Sequence, residues 1–290
     1  MRSDFAMFIL THGRANSVKT IRSLTKVGYK GRIVLVVDDQ DKQLNEYKRL
    51  YGDMVEVFDK EEAAGYTDTC NNFGARNMVV FARNAAYRIA ERIGIKYFMA
   101  LDDDYTLFHY KYNEHLQFKN HAMPDINPVI DAMIDLVDNT PFLTVAMAQG
   151  GDFIGGPASR LGKAIQILPK AMNSFLCSTD KRIDFPGAIN EDVNAYVLAA
   201  HRGTPMVTHS MPSLQQGVTQ QHAGGLSDIY LDVGTYVKSF YSVMVSPSSV
   251  KIATVGPTNS RIHHLIDWKH TAVKVVHEKH RKGKPRKRVA

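Results

Sequence analysis

The sequence predicts an α/β fold in which helices cover both faces of a mostly parallel sheet. Three observations lead to this prediction: short apolar runs end abruptly at polar turns, amphipathic segments with helical periodicity separate them, and glycines mark the breaks. Strands of a parallel sheet are buried on both faces and read as nearly continuous apolar runs. The chain has 290 residues, of which 44% are apolar, so it can bury a full core.

Residues 1–105 contain four such strands with helices between them. The apolar runs predict strands at residues 5–10, 32–37, 54–58 and 97–101. Helical periodicity indicates helices near residues 17–27, 44–50 and 79–93. We expect a polar loop at residues 61–74.

The pattern becomes less regular beyond residue 105. We expect a helix near residues 128–137, a strand at 143–148, a glycine-rich stretch at 149–156 and a helix at 191–202. No repeat or clear linker interrupts residues 1–273, so they are predicted to form one domain. Ligands of mostly parallel sheets bind beyond the carboxyl ends of the strands, so the polar turns there are candidate sites.

The C-terminal segment carries the whole net charge of the chain. Residues 274–290 contain eight Lys and Arg and one Glu, a surplus equal to the overall charge of +7. Because like charges repel and Gly283 and Pro285 resist helix formation, we expect a flexible arm with affinity for polyanions. The alternative is a terminus that only increases solubility.

Several classes of protein are excluded. The first apolar run has six residues and is followed by His12 and Arg14, which fits neither a signal peptide nor a membrane span. Cys70 and Cys177 have no CxxC or CxxH companions, so neither a zinc knuckle nor a disulfide framework is indicated. We therefore expect a soluble protein of a reducing cytoplasm, without a membrane partner.

Three consecutive aspartates follow the fourth predicted strand. Asp102 and Asp104, with alternate spacing, or Asp103 with one neighbour, offer the hard oxygen ligands that Mn²⁺ or Mg²⁺ prefers. The alternative is a polar turn in which one Asp caps a helix. Because three adjacent like charges repel, a turn without a ligand has no need of them, and metal binding is favoured.

Other polar clusters suggest binding roles, each with a plainer alternative. Asp38-Asp39, after the second strand, suits a nucleobase or ribose but also an ordinary Asx turn. Arg83, or Arg76 upstream, suits a diphosphate or the solvated face of a helix. His222 suits a metal or phosphate, although most such histidines are simply exposed.

The segment Asn190-Glu191-Asp192 opens a predicted helix. A carboxylate there could act as a general base toward an acceptor hydroxyl. The alternative is a helix start in which Asn190 is the N-cap and the two acids favour the helix dipole. The residues themselves leave the two interpretations equal.

The ordered motifs Thr11-His12-Gly13-Arg14, Asp38-Asp39, Ala82-Arg83-Asn84 and Leu101-Asp102-Asp103-Asp104 resemble those of family 2 type GT-A glycosyltransferases. The resemblance implies a Rossmann-like GT-A fold and a nucleotide-sugar donor, with residues 1–105 as the donor half and residues 106–273 as the acceptor half. It assigns residues as follows: Thr11, His12 and Arg14 to the nucleobase turn, Asp38 or Asp39 to uridine, Arg83 to the diphosphate, Asp103 to the sugar or ribose, Asp102, Asp104 and His222 to the metal, and Asp192 with Glu191 to catalysis.

The small format and the basic tail are similar to the TET-associated glycosyltransferases of bacteriophages. That resemblance implies transfer to 5-hydroxymethylpyrimidines of double-stranded DNA bound by the tail and the acceptor half, in an infected host's cytoplasm. Our hypothesis for the reaction is direct displacement with Asp192 as base, which inverts the configuration. The match is good over residues 5–105 and loose over 188–225, and His12-Gly13 replaces the family's usual Tyr-Asn. The alternatives are a transferase for a small molecule, protein or surface glycan, a nucleotidyltransferase, and a non-catalytic DNA-binding module.

Overall fold

The computed structural model describes residues 2–70, 74, 76–216, 236–255 and 261–271. Its central sheet has five strands in the order β3-β2-β1-β4-β9. The first four are parallel, and β9 is antiparallel to β4. Their bounds are β1 Phe5–Leu10, β2 Arg32–Asp38, β3 Val55–Phe58, β4 Tyr97–Asp102 and β9 Ser174–Ser178. The predicted mostly parallel sheet is confirmed.

Helices pack on both faces of this sheet, as predicted. Along β1, Ala6, Phe8 and Leu10 belong to one buried cluster, whereas Phe5, Met7 and Ile9 belong to the other. The first cluster contains residues of α4 (Val79–Arg92) and α7 (Glu191–His201). The second contains residues of α1 (Lys19–Lys26), α2 (Leu44–Tyr51) and α5 (Asn127–Asn139). The fold class is therefore mixed α/β with a helix-flanked central sheet.

A second sheet is built mainly from the later part of the chain. Its strands are ordered β6-β5-β10-β7, and β8 also pairs with β10. They are β5 Tyr105–Tyr112, β6 Phe118–Ala122, β7 Thr144–Gln149, β8 Ile167–Leu168 and β10 Met206–Gln216. A separate hairpin joins β11 Val250–Val255 to β12 Arg261–Ile266, and the remaining described helices are α3 Lys60–Tyr66, α6 Arg160–Lys163, α8 Tyr236–Val245 and α9 Trp268–Thr271.

The prediction of a polar loop over residues 61–74 is wrong at its beginning, where α3 forms. The Asp59 side chain accepts a hydrogen bond from the Glu62 amide at 2.8 Å and so caps the helix. Ala63 is completely buried against the first cluster. Tertiary packing of this short helix outweighs its polar sequence. Within the described residues, no helix combines the length and the apolar character needed to cross a bilayer.

Candidate active site

The carboxyl edge of the central sheet brings four polar segments together. Leu10 of β1 pairs with both Val36 of β2 and Asp102 of β4, so the turns after these three strands leave the sheet at one level. The start of α7 approaches the same edge, because Glu191 contacts Arg83 and Arg83 contacts Asp102. Edges of this type are the usual ligand sites of α/β sheets.

The aspartate turn is held in place by Thr20 of α1. The Thr20 hydroxyl donates to the Asp102 carbonyl oxygen at 2.6 Å and accepts from the Tyr105 amide at 3.0 Å. The Thr20 amide also donates to the Asp103 carbonyl oxygen at 3.2 Å. Because Thr20 is completely buried, water cannot replace these bonds.

Replacing Thr20 with Val is expected to lower the free energy of unfolding by about 1–3 kcal/mol, because the buried Tyr105 amide loses its acceptor. Thr20→Ser keeps the hydroxyl and is the matched control. Urea-induced unfolding measures both variants. Equal midpoints for Thr20→Val and the parent protein would show that the hydrogen bonds of the Thr20 hydroxyl contribute nothing to stability.

Asp103 joins the first turn to the aspartate turn. One carboxylate oxygen accepts from the Thr11 hydroxyl and the other from Arg14 Nη1, each at 2.7 Å. The Tyr47 hydroxyl accepts from the Arg14 amide at 2.8 Å and lies 2.7 Å from the Thr11 hydroxyl. Both oxygens of Asp103 thus have protein partners, and its contact with sugar or ribose stays a prediction.

Arg83 points into the protein, not onto a solvated face of α4. Its side chain is 2% exposed, with Nε 3.0 Å from Glu191 Oε1 and Nη2 3.5 Å from Asp102 Oδ1. The guanidinium also lies 4.9 Å from the centre of the Phe175 ring. Burial lowers the pKa of Arg83, but the carboxylates of Asp102 and Glu191 outweigh it and raise the pKa above its ordinary value.

Removing one member of the Arg83–Glu191 pair is expected to destabilise the fold by about 3–5 kcal/mol, because the other charge stays buried without its partner. The double variant Arg83→Met/Glu191→Met is expected to lose less than the sum of the two single variants. A double-mutant cycle in urea measures the difference. Additive losses would contradict a direct coupling.

The acidic side chains at this edge titrate abnormally. Burial raises the pKa of Asp102 to about 7, in spite of the neighbouring Arg83. Burial and then the Asp103 charge raise the pKa of Asp104, and burial and then Glu191 raise that of Asp192. The positive charges and hydrogen-bond donors of the protein therefore do not balance the negative charge of these carboxylates.

One oxygen of this group has no partner at all. Asp104 Oδ1 is buried and makes no hydrogen bond among the described residues. A buried carboxylate oxygen without a donor suits a cation, and Asp102 next to it keeps a side chain that is 22% exposed. The residues present therefore fit a divalent ion, whereas His222, the third predicted ligand, lies outside the described residues.

A second acidic group follows β2. His12 Nδ1 donates to Asp38 Oδ2 at 2.6 Å and lies 3.4 Å from Asp41 Oδ2, so the three side chains could hold a metal. However, Lys60 Nζ lies 2.8 Å from Asp38 Oδ1, and the Gly13 amide donates to Asp41 at 2.7 Å. A cation and an amide thus already satisfy these oxygens, which favours an ion-paired network over a metal centre.

The same contacts explain the titration of this group. The hydrogen bond to Asp38 raises the pKa of His12 more than burial lowers it. Burial raises the pKa of Asp38, but His12 and Lys60 outweigh it, so the pKa falls below its ordinary value. Asp39 is exposed, and its side chain accepts from the Lys60 amide at 2.9 Å.

At the start of α7, Asn190 does not act as a side-chain cap. It has a left-handed backbone with φ of 55°, and its amide group donates to the Lys238 carbonyl at 2.7 Å and to Ser242 Oγ at 3.1 Å. Glu191 is held by Arg83, whereas Asp192 Oδ1 accepts only from the Val193 amide at 2.8 Å. Among the described residues Asp192 forms no ion pair, whereas Glu191 does.

Sequence reasoning missed Thr20, Tyr47, Asp41 and Lys60, whose contacts order the two turns. They are of ordinary type and lie in helices or turns, so only the sheet topology could have identified them. Arg76, the second arginine candidate, pairs with Glu61 at 3.1 Å instead of joining the cluster at Asp102.

Several solved structures are similar to this chain at low sequence identity. Glucosyl-3-phosphoglycerate synthase from Mycobacterium tuberculosis is 12% identical, with 90% of this chain and 86% of that one covered and a TM-score of 0.44. The mannosyltransferase PcManGT from Pyrobaculum calidifontis is 13% identical, with 76% and 59% covered and a TM-score of 0.46. S. aureus TarS, residues 1–349, is 15% identical, with 78% and 63% covered and a TM-score of 0.42.

No curated protein matches the chain by sequence. The family model of the TET-associated glycosyltransferases matches residues 5–225, which include the turns after β1, β2 and β4 and the start of α7. The chain therefore belongs to the TET-associated glycosyltransferase family.

Proposed function

We propose that this glycosyltransferase moves a sugar from a nucleotide-sugar donor, a UDP-sugar, to a hydroxyl group, with the help of a divalent metal ion. One observation carries the proposal: the partnerless carboxylate oxygen of Asp104 lies in the same turn as Asp102, and Arg83 joins Asp102 to Glu191, the neighbour of Asp192. Such an arrangement can serve a leaving diphosphate and an attacking hydroxyl together.

Asp102, Asp104 and His222 would hold Mn²⁺ or Mg²⁺. When bound, the ion supplies neutralisation of the charge that develops on the leaving diphosphate. Arg83 holds Glu191 through a 3.0 Å contact and reaches Asp102 at 3.5 Å. In this proposal Arg83 is a positioning residue, because its guanidinium is buried among protein groups.

The nucleoside part of the donor would lie over the ends of β1 and β2, against Thr11, His12, Arg14, Asp38 and Asp39. The strand order β2-β1-β4 puts the β2 turn two strand spacings, about 10 Å, from the aspartate turn. That separation matches a nucleotide whose diphosphate lies at Asp102 and Asp104. Arg14, in the turn after β1, forms an ion pair with Asp103, so the β1 turn lies between the β2 turn and the aspartate turn.

Asp192 would act as the general base. It takes the proton from the acceptor hydroxyl, whose oxygen bonds to the anomeric carbon while the bond to the nucleoside diphosphate breaks. A single displacement inverts the configuration at that carbon. NMR of the isolated product is expected to show the inverted anomer, and the retained anomer would rule out this mechanism.

The acceptor in this proposal is a 5-hydroxymethylpyrimidine in double-stranded DNA. Its hydroxymethyl group projects into the major groove, so the enzyme must enter the groove or flip the nucleotide into the site. The surplus of positive charge in residues 274–290 supports a polyanionic acceptor. Removal of these residues is expected to weaken DNA binding and reduce its salt dependence.

The experiment is an incubation of the protein with Mn²⁺, a panel of nucleotide sugars, and DNA with or without 5-hydroxymethylcytosine. Mass spectrometry of the digested nucleosides is expected to find a glycosylated nucleoside only when donor and modified DNA are both present. The same panel with small-molecule and protein acceptors separates the competing transferases. Transfer to those acceptors alone would contradict the proposed substrate.

A further inference from the structure

The proposed donor site leaves one side of the aspartate turn for the acceptor. The nucleotide would lie toward β1 and β2, so the acceptor must approach from the side of β9 and β7. Ser174 of β9 pairs with Leu101 of β4, and its hydroxyl accepts from the Met147 amide of β7 at 3.0 Å. The Tyr105 hydroxyl donates to the Asn173 carbonyl. The segment after β7 therefore borders the turn on this side.

Two segments on this side carry a surplus of positive charge because they contain few acidic residues. Residues 105–123 and 150–172 together contain five Lys and Arg but only two acidic residues, Glu114 and Asp152. Asp152 is paired with Lys170, and Glu114 lies near His115. The other four form no ion pair among the described residues, and we name them the basic face: Lys111, Lys119, Arg160 and Lys163.

Ring contacts and hydrogen bonds join the two segments. Lys111 Nζ lies 4.8 Å from the centre of the Phe153 ring and 5.7 Å from that of Phe118, and the two rings are 5.7 Å apart. The Tyr112 hydroxyl donates to the Leu161 carbonyl of α6 at 2.6 Å. α6 is thereby attached to the β5–β6 hairpin, with Lys119, Arg160 and Lys163 exposed.

We infer that the basic face binds the phosphate backbone of the acceptor DNA and presents it to the site at Asp102, Asp104 and Asp192. The inference rests on the proposed function, which supplies DNA as the acceptor. The basic face lies on the acceptor side of the proposed site, and its positive charges have no carboxylate partners among the described residues, so it can attract a polyanion there. Each lysine or arginine that neutralises a phosphate adds to the salt dependence of binding.

The test is charge reversal of α6 in the full-length protein, Arg160→Glu/Lys163→Glu. Both side chains are exposed, so the fold is expected to tolerate the change. Lys26→Glu/Lys30→Glu makes the same charge change in residues 14–37, which contain six Lys and Arg and no acidic residue, and is the control for positive charge that lies outside the basic face. Arg160→Gln/Lys163→Gln is a milder second variant.

Fluorescence anisotropy with unmodified duplex DNA over a range of salt concentrations measures binding without chemistry. Charge reversal is expected to raise Kd about tenfold or more in 0.1 M salt and to reduce the log–log salt slope by about two, whereas the control changes neither. Hydrolysis of the nucleotide sugar is expected to stay at the parent rate in every variant.

The parent protein is also assayed for transfer to hydroxymethylated duplex. If the parent glycosylates that DNA but Arg160→Glu/Lys163→Glu and Arg160→Gln/Lys163→Gln keep the parent Kd and salt slope, the basic face is not the DNA surface. If the parent glycosylates no DNA at all, the proposed acceptor itself is wrong. The two failures are therefore distinguishable.

Discussion

Asp104→Asn is expected to lower kcat/KM for metal-dependent transfer by about 10²–10³-fold, because one of the two carboxylates proposed to hold the ion is lost. Asp104→Asn is also expected to unfold with a free energy equal to or greater than that of the parent protein. Burial and the Asp103 charge raise the pKa of Asp104, so an uncharged amide removes an unfavourable interaction from the metal-free protein. Loss of activity would thus accompany retained or greater stability.

Asp135→Asn is the control for this prediction. Asp135 is exposed on α5, away from the aspartate turn, and its substitution makes the same change of charge and shape. Isothermal titration with Mn²⁺ and UDP adds a readout that does not need turnover. Full Mn²⁺ affinity in Asp104→Asn would remove this carboxylate from the metal site, whatever the effect on rate.

Asp192→Asn is expected to lower kcat by about 10²–10⁴-fold while the KM for the nucleotide sugar stays near the parent value. The reason is that Asp192, unlike Glu191, forms no ion pair among the described residues and so can accept the acceptor's proton. Glu191→Gln provides the comparison, because Glu191 is held by Arg83 and its loss is expected to affect stability more than proton transfer.

Steady-state kinetics with hydroxymethylated DNA, together with urea unfolding, separates the two roles of Glu191 and Asp192. The control for a change of charge near α7 is Asp184→Asn. Asp184 is exposed and lies 3.9 Å from Arg182. A kcat loss in Glu191→Gln that exceeds the loss in Asp192→Asn, at equal stability, would assign the base to Glu191 instead.

The four parallel strands of the central sheet could be predicted because each is a local signal, whereas β9 was not predicted. β1, β2 and β4 are apolar runs that end at a polar turn, and their burial on both faces follows from that pattern. Of the second sheet only β7 was predicted, and its strand pairing could not be, because the strands pair across long separations: Tyr110 of β5 pairs with Pro212 of β10. The register of such strands depends on packing, which leaves a weak mark in the sequence.

The candidate site also contains residues that the sequence indicates and residues that only the fold reveals. The sequence draws attention to Asp102, Asp104 and Asp192 because acids after a strand or at a helix start are visible as motifs. The direction of Arg83 could not be predicted, because α4 buries residues on more than one side and its periodicity does not select a face. The hydroxyl clamp of Thr20 is equally invisible, since it depends on a contact with Asp102 across 82 positions of the chain.

The central claim, a metal-assisted transfer site at the end of β4, is tested most directly by locating the ion. Crystals grown with Mn²⁺ and UDP allow the metal to be placed by its anomalous scattering. We expect one anomalous peak bonded to carboxylate oxygens of Asp102 and Asp104, with the diphosphate beside it. A peak on His12, Asp38 and Asp41, or no peak at Asp104, would contradict the account.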